Sequence, residues 1–203
     1  MKKTITTFLV AAGMTASVQV LAGDPAAGES KTATCVACHG SDGNSAVASF
    51  PKLAGQGEKY LLKQLKDIQS GARPIVEMTG LLDGLSEADL ADMAAYYASK
   101  EGSVGQANPD LVAEGEKIYR AGIAAKEVAA CTACHGPAGK GVDLASYPAL
   151  GGQHADYTAS SLKKFRSGER NNDGESRVMR SIAARLSDRE IEAVSSYISG
   201  LYK

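Results

Sequence analysis

The stretch that decides the reading is Cys35-Val36-Ala37-Cys38-His39, which returns as Cys131-Thr132-Ala133-Cys134-His135. These ten residues hold all four cysteines and two of the three histidines of a 203-residue chain. The flanks repeat as well. Phe50-Pro51-Lys52-Leu53-Ala54-Gly55-Gln56 matches Tyr147-Pro148-Ala149-Leu150-Gly151-Gly152-Gln153 at an offset of 97. Tyr60 falls on Tyr157 and Arg73 on Arg170 at the same offset. The offset then grows to 101, where Met78 meets Met179, Leu85-Ser86 meets Leu186-Ser187, and Tyr96 meets Tyr197. Matches in register across this span imply two copies of one unit, each large enough to fold around its own core. The expected division is 23–100 for the first unit, 109–203 for the second, and the small, polar segment 101–108 as the join.

Each unit reads as helical, so the expected class is all-α. Asp24-Pro25 and Asn108-Pro109 pair an N-cap residue with proline at the first helical position. Residues 58–69 place Leu61, Leu65 and Ile68 on one face and stop before Gly71. Residues 161–166 repeat that pattern ahead of Gly168. Ser86 and Ser187 open the last helix of each unit, and Glu190 completes a capping box in the second. Leu90, Met93, Ala94 and Tyr97 then recur at helical spacing, as do Ile191, Val194, Ser195 and Ile198. The glycine-rich stretches 40–55 and 136–152 have no period and read as loops.

Three chemistries use paired CxxC motifs. A structural zinc site sets its two pairs roughly 15–20 residues apart, not a whole repeat apart, and leaves the following histidine unexplained twice. A thioredoxin-like dithiol expects a βαβ setting, which this helical pattern lacks. Covalent haem explains every residue. Cysteines at i and i+3 present two thiols to the two vinyl groups of a porphyrin, and histidine at i+4 leaves the same turn to reach the iron. The expected cofactors are therefore two haem c groups, one on Cys35 and Cys38, the other on Cys131 and Cys134. His39 and His135 are the expected fifth iron ligands.

Downstream of His135 the side chains of ligand type are His154 and Met179. His154 aligns with Gly57, so a shared architecture does not use it, and it reads as a surface or loop residue. Met179 aligns with Met78, and both lie in stretches without helical period. Met93 competes in the first unit but belongs to the apolar face of the last helix. Met78 and Met179 are thus the candidate sixth ligands; the competing role for each is to fill a gap in the core, which methionine does well. Thioether sulfur raises the reduction potential, and an iron closed on both faces has no open position for a substrate. Such a centre changes charge and nothing else, so no enzymatic turnover is expected of it.

The N-terminus reads as an export signal: Lys2 and Lys3, an apolar run from Ile5 to Val20, and Val20-Leu21-Ala22 as a small-residue cleavage site; the alternative is a membrane anchor, against which the run is short and interrupted by Thr6, Thr7, Thr15, Ser17 and Gln19. Residues 1–22 are expected to be removed after Ala22. Composition agrees with a globular exported chain, with 44% hydrophobic and 22% charged residues. A formal net charge of −1 excludes nucleic acid held by a basic surface. The charge is unevenly shared: residues 23–105 hold 7 basic and 11 acidic side chains, residues 106–203 hold 13 and 12. Lys163, Lys164, Arg166 and Arg170 form a basic stretch that reads either as a docking surface or as a plain helix face.

Two tandem CxxCH units with Met78 and Met179 in register, and Phe50-Pro51 and Tyr147-Pro148 between, resemble the dihaem cytochrome c4 family over the whole mature chain. The resemblance implies two cytochrome c-like domains, each a helical wrap around one haem. It implies that Pro51 and Pro148 offer their carbonyls to the ring N–H of the ligating histidines; the alternative is two ordinary loop prolines. It further implies a periplasmic electron carrier, a monomer in which peripheral membrane association stays open. The donor would be a quinol-oxidising cytochrome bc complex and the acceptor a haem–copper terminal oxidase. Three other classes remain: the electron-accepting subunit of a periplasmic dehydrogenase, such as a flavocytochrome that oxidises sulfide; a dihaem peroxidase with an open iron; and a haem-free structural or metal-binding protein.

Overall fold

The computed structural model describes residues 23–202; the expected export signal lies outside the described residues. Helix α1 (Pro25–Lys31) begins at Asp24, whose carboxylate accepts from the Ala26 N–H, with proline at the first turn. The short α2 (Val36–His39) carries the first CxxCH motif. Helix α3 (Glu58–Gln69) matches the expected bounds, and a 3-10 turn follows at Val76–Met78. Helix α4 (Glu87–Ala98) ends the first unit. Its capping box is closed by Asp89, which supplies the reciprocal carboxylate as Glu190 does in the second unit.

The second unit repeats this order with α5 (Pro109–Ala121), α6 (Thr132–His135), α7 (Ala155–Ser167), α8 (Val178–Ala183) and α9 (Asp188–Gly200). Helix α7 begins six residues before the expected start at 161, because Thr158 and Leu162 continue its buried face. The loop before α6 and the one after it are pinched by single antiparallel bridges, Ile123–Val128 and Val142–Tyr147. Neither extends into a strand.

In each unit the first helix crosses the last: α1 packs on α4 and α5 on α9. Glycine makes both crossings. A β-carbon at Gly28 would lie 2.1 Å from the Asp92 carbonyl oxygen, and one at Gly115 would lie 2.2 Å from that of Ala193. No side chain fits at such distances, so the helix axes meet where the sequence supplies none. Helices α3 and α7 lean on the same last helices from the other side.

The second unit has one contiguous core, running from Ile118 and Tyr119 through Leu162 and Phe165 to Ile191, Val194 and Ile198. The first unit's core is split in two. One part centres on Leu61, Ala94, Tyr96 and Tyr97, the other on Leu82, Leu90 and Met93, and Cys35 lines both. Met93 is thus a core residue, as its helical spacing implied.

The units meet across a reciprocal interface. The Gln56 amide donates to the Ala149 carbonyl (2.9 Å) and accepts from the Ala149 N–H (2.7 Å). The Gln153 amide does the same to Lys52, at 2.9 Å each way. Gln56 aligns with Gln153 and Lys52 with Ala149, so the contact is an approximate two-fold built from one repeat. The join 101–108 is extended and tied to both units, through Ser103 N–H to Asn44 Oδ1 (2.7 Å) and Gly105 N–H to the Ser199 carbonyl (3.0 Å).

Candidate functional site

Both CxxCH motifs fold as one helical turn entered at the first cysteine. The His39 N–H donates to the Cys35 carbonyl and the His135 N–H to that of Cys131, each at 2.9 Å. Gly40 and Gly136 end these turns with φ of 80° and 79°, a region that glycine enters without strain. None of the four cysteines is in a disulfide. Burial pushes the thiol of Cys35 up and that of Cys131 to about 11, so both are neutral sulfhydryls rather than thiolates. Among the described residues no three histidine, cysteine or acidic side chains gather to hold a metal ion. The two CxxC pairs sit in separate units and form no common site.

The imidazoles are buried and oriented. Nδ1 of His39 lies 2.9 Å from the Pro51 carbonyl oxygen, and Nδ1 of His135 lies 2.9 Å from that of Pro148. A carbonyl only accepts, so each Nδ1 carries the proton and each Nε2 keeps a bare lone pair. Burial holds both rings below the usual imidazole range, keeping them neutral. Phe50 and Tyr147 set their rings against His39 and His135, with centroids 6.3 Å apart in both units. A neutral, tautomer-fixed imidazole beside two sulfhydryls is the donor set that a covalently attached haem requires.

Met78 and Met179 are half-buried, and each packs on a cluster that its own unit's first cysteine also lines: Met78 with Cys35, Met179 with Cys131. Neither lies in irregular loop, contrary to the expectation. Met78 ends the 3-10 turn, and Met179 sits in the first turn of α8. Short turns carry too few residues to show a period, so the sequence pattern missed them. His154 lies in the loop before α7, as expected, and is half-buried there, with its Nε2 2.8 Å from the Ser45 carbonyl of the other unit.

Sequence reasoning overlooked a polar cluster where the units meet. Arg73 of the first unit donates to the Tyr157 hydroxyl (3.1 Å), and Arg170 of the second donates to the Tyr60 hydroxyl (2.9 Å). Gln64 Oε1 accepts from both guanidinium groups. Burial alone raises the Tyr157 phenol, but the charges of Arg73 and Arg170 outweigh it and bring the group to about 8. The available signal was the register itself, since both Tyr–Arg pairs repeat at one offset. Arg170 is only 8% exposed, so it belongs to this cluster and not to a docking surface. Lys164 pairs with Glu169 and Arg166 with Asp188, which neutralises much of the remaining basic stretch.

The cytochrome c family model matches residues 26–100 and 112–201. The chain is 55% identical to cytochrome c4 of Pseudomonas aeruginosa over 202 residues, covering 100% of both proteins. It is 36% identical to a thiosulfate dehydrogenase electron acceptor of Thiomonas intermedia, covering 86% of this chain and 81% of that protein. Among solved structures it is similar to reduced recombinant cytochrome c4 from Pseudomonas stutzeri, with a TM-score of 0.88 and 56% identity over 89% of this chain and 100% of that one. Two units of this fold, each with a CxxCH turn and a buried, tautomer-fixed histidine, and this similarity along the whole length lead to one conclusion. The chain belongs to the cytochrome c4 family and is a dihaem electron-transfer protein, carrying one haem c on Cys35 and Cys38 and another on Cys131 and Cys134.

Proposed function

We propose that the protein is a periplasmic shuttle that takes single electrons from a quinol-oxidising cytochrome bc complex and delivers them to a haem–copper terminal oxidase. Each haem c supplies one reversible change of iron oxidation state when bound. His39 and Met78 are the proposed axial ligands of the first iron, His135 and Met179 those of the second. The functional units are residues 23–100 and 109–203, with 101–108 joining them. The observation that carries this reading is the paired arrangement of histidine and methionine in both units. What supports it is that each unit holds a buried, tautomer-fixed imidazole and a half-buried methionine packed on the cluster that its first cysteine lines.

The chain's own part is to hold and to exclude. Pro51 and Pro148 lock the tautomer and raise the basicity of each ligating nitrogen. Phe50 and Tyr147 restrict the imidazoles. With His39 and Met78, and His135 and Met179, as its ligands, each iron would offer no open position to oxygen or peroxide, which speaks against a peroxidase role. Export supports the periplasmic location: Lys2, Lys3 and the apolar run ending at Ala22 have the composition of a cleavable signal.

A second reading draws on the Thiomonas relative named for accepting electrons from thiosulfate dehydrogenase: this chain accepts electrons from a periplasmic dehydrogenase. Stopped-flow mixing decides between them. Reduced bc complex should reduce the holoprotein, and the oxidase should reoxidise it, at rates that support turnover. Reduction by a co-purifying dehydrogenase, with none by the bc complex, would replace the first reading with the second.

A further inference from the structure

The two methionine segments differ in length and in what holds them. Between Arg73 and Met78 lie four residues; between Arg170 and Met179 lie eight. The short segment is held by backbone bonds, Met78 N–H to the Ile75 carbonyl (3.0 Å) and Thr79 N–H to that of Val76 (3.2 Å). Among the described residues no ion pair braces it. The long segment is fixed at both ends by side chains. Asp173 accepts from the Arg180 backbone N–H at 2.9 Å and from its Nε at 2.5 Å, and Arg180 Nη2 donates to the Gly174 carbonyl at 2.8 Å. Arg180 is the residue after Met179. One position before Asp173, Asn172 crosses to the other unit. Its Nδ2 donates to Gln64 Oε1 (2.8 Å) and Asp67 Oδ2 (2.6 Å), and its backbone carbonyl accepts from Lys63 Nζ (2.9 Å). Its Oδ1 accepts from Arg170 Nε (3.2 Å), so every polar face of the side chain is engaged.

We infer that the four extra residues of the second unit form a brace through which α3 of the first unit holds Met179 in place, while Met78 has no such support. The inference rests on the reading of Met179 as axial ligand. The chain of contacts is continuous: α3, then Asn172, then Asp173, then Arg180 and the first turn of α8, which carries Met179. Asn172 and Asp173 are joined by the peptide bond between them, and the other links are charged or amide hydrogen bonds in a half-buried setting, where such bonds hold geometry well. The consequence is directional. The sulfur at the second haem resists displacement more than the sulfur at the first, and this resistance requires the first unit to be docked. Asn172 and Asp173 are positioning residues that act on the iron only through Met179.

The test is an imidazole titration of the ferric holoprotein, followed through the near-infrared band of methionine-ligated haem. The proton signals of the two iron-bound methionine methyls in the reduced protein report the ligand set, and a Met78→Ala variant assigns them. In the unaltered protein Met78 should yield to imidazole before Met179. Asn172→Ala should lower the imidazole concentration that displaces Met179 by about tenfold and leave Met78 where it was. Asp173→Asn should act in the same direction without touching the interface. Asn172→Asp should behave like Asn172→Ala, and adding Asp67→Asn should restore the original order by exchanging donor and acceptor. An unchanged Met179 in both Asn172→Ala and Asp173→Asn, or an equal shift of both methionines, would overturn the brace. A missing Met179 methyl signal in the unaltered protein would instead overturn the ligand reading on which it rests.

Discussion

Helix α1 has seven residues and helix α5 thirteen, yet both meet the last helix of their unit at a glycine, Gly28 or Gly115. The longer helix reaches Tyr119, a fully buried residue beside Cys131 whose hydroxyl donates to the Gly136 carbonyl at 2.7 Å. Counted from the matched glycines, Tyr119 corresponds to Thr32, so α1 brings no phenol to Cys35. Tyr97 of α4 brings it instead, and the second unit has Ile198 at that place. The comparison teaches that the space beside the first cysteine must be filled by a ring, whichever helix supplies it. The two solutions differ in quality. The Tyr97 hydroxyl is buried beside Cys35 and Thr32 without a well-formed hydrogen bond, and the first unit's core is split at Cys35 while the second's is continuous.

The glycine crossings give the largest test of the shared plan. Gly28→Ala and Gly115→Ala should each cost about 3 kcal/mol or more, since overpacking a rigid helix contact is among the costlier changes. Urea unfolding followed by far-ultraviolet circular dichroism measures it, and the first unit, with its divided core, should unfold at the lower urea concentration. A mild effect at one glycine alone would show that the two crossings are not equivalent.

The interface comes next. Gln56→Ala and Gln153→Ala each remove two side-chain hydrogen bonds to the other unit's backbone and one to the next residue's N–H, for an expected loss of about 2 kcal/mol apiece. Equal losses would support a two-fold contact. Unequal ones would show that the clasp of Asn172 has moved the balance to one side.

A smaller effect separates the two phenols. Tyr119→Phe should cost about 1 kcal/mol, while Tyr97→Phe should be close to neutral because its hydroxyl gives up little. Thermal melting of the two variants checks this, and a Tyr97→Phe that destabilises as much as Tyr119→Phe would show a hydrogen bond at Cys35.

Charge gives the smallest difference. Residues 23–105 are four charges negative and residues 106–203 one charge positive, and negative surroundings favour ferric iron. Five charges at roughly 15 Å in water-like dielectric amount to at most ~60 mV for one electron. The first haem should therefore be the lower in potential, with a gap that narrows as salt rises. A redox titration at two ionic strengths resolves it.

Much of this was legible in the residues. Thiol chemistry and spacing imply covalent haem, the repeat gives two units, and caps such as Asp24, Asn108 and Ser187 mark helix starts because the orphan N–H groups there need side-chain acceptors. What escaped were features set by contacts far apart in the chain. Nothing local to Gln56, Tyr60 or Arg170 says that its partner lies in the other unit. The capping box at Ser86 passed unnoticed because aspartate, the shorter acid, closes it. Met78 and Met179 were placed in register correctly, but their short turns hold too few residues to show a helical pattern. Among the described residues no helix is long and apolar enough to cross a membrane.

The most direct test is the proton spectrum of the fully reduced holoprotein. Two separate upfield methionine methyl signals are expected, one lost in Met78→Ala and the other in Met179→Ala. A single signal, or a methyl that survives both substitutions, would contradict the pairing of His39 with Met78 and of His135 with Met179.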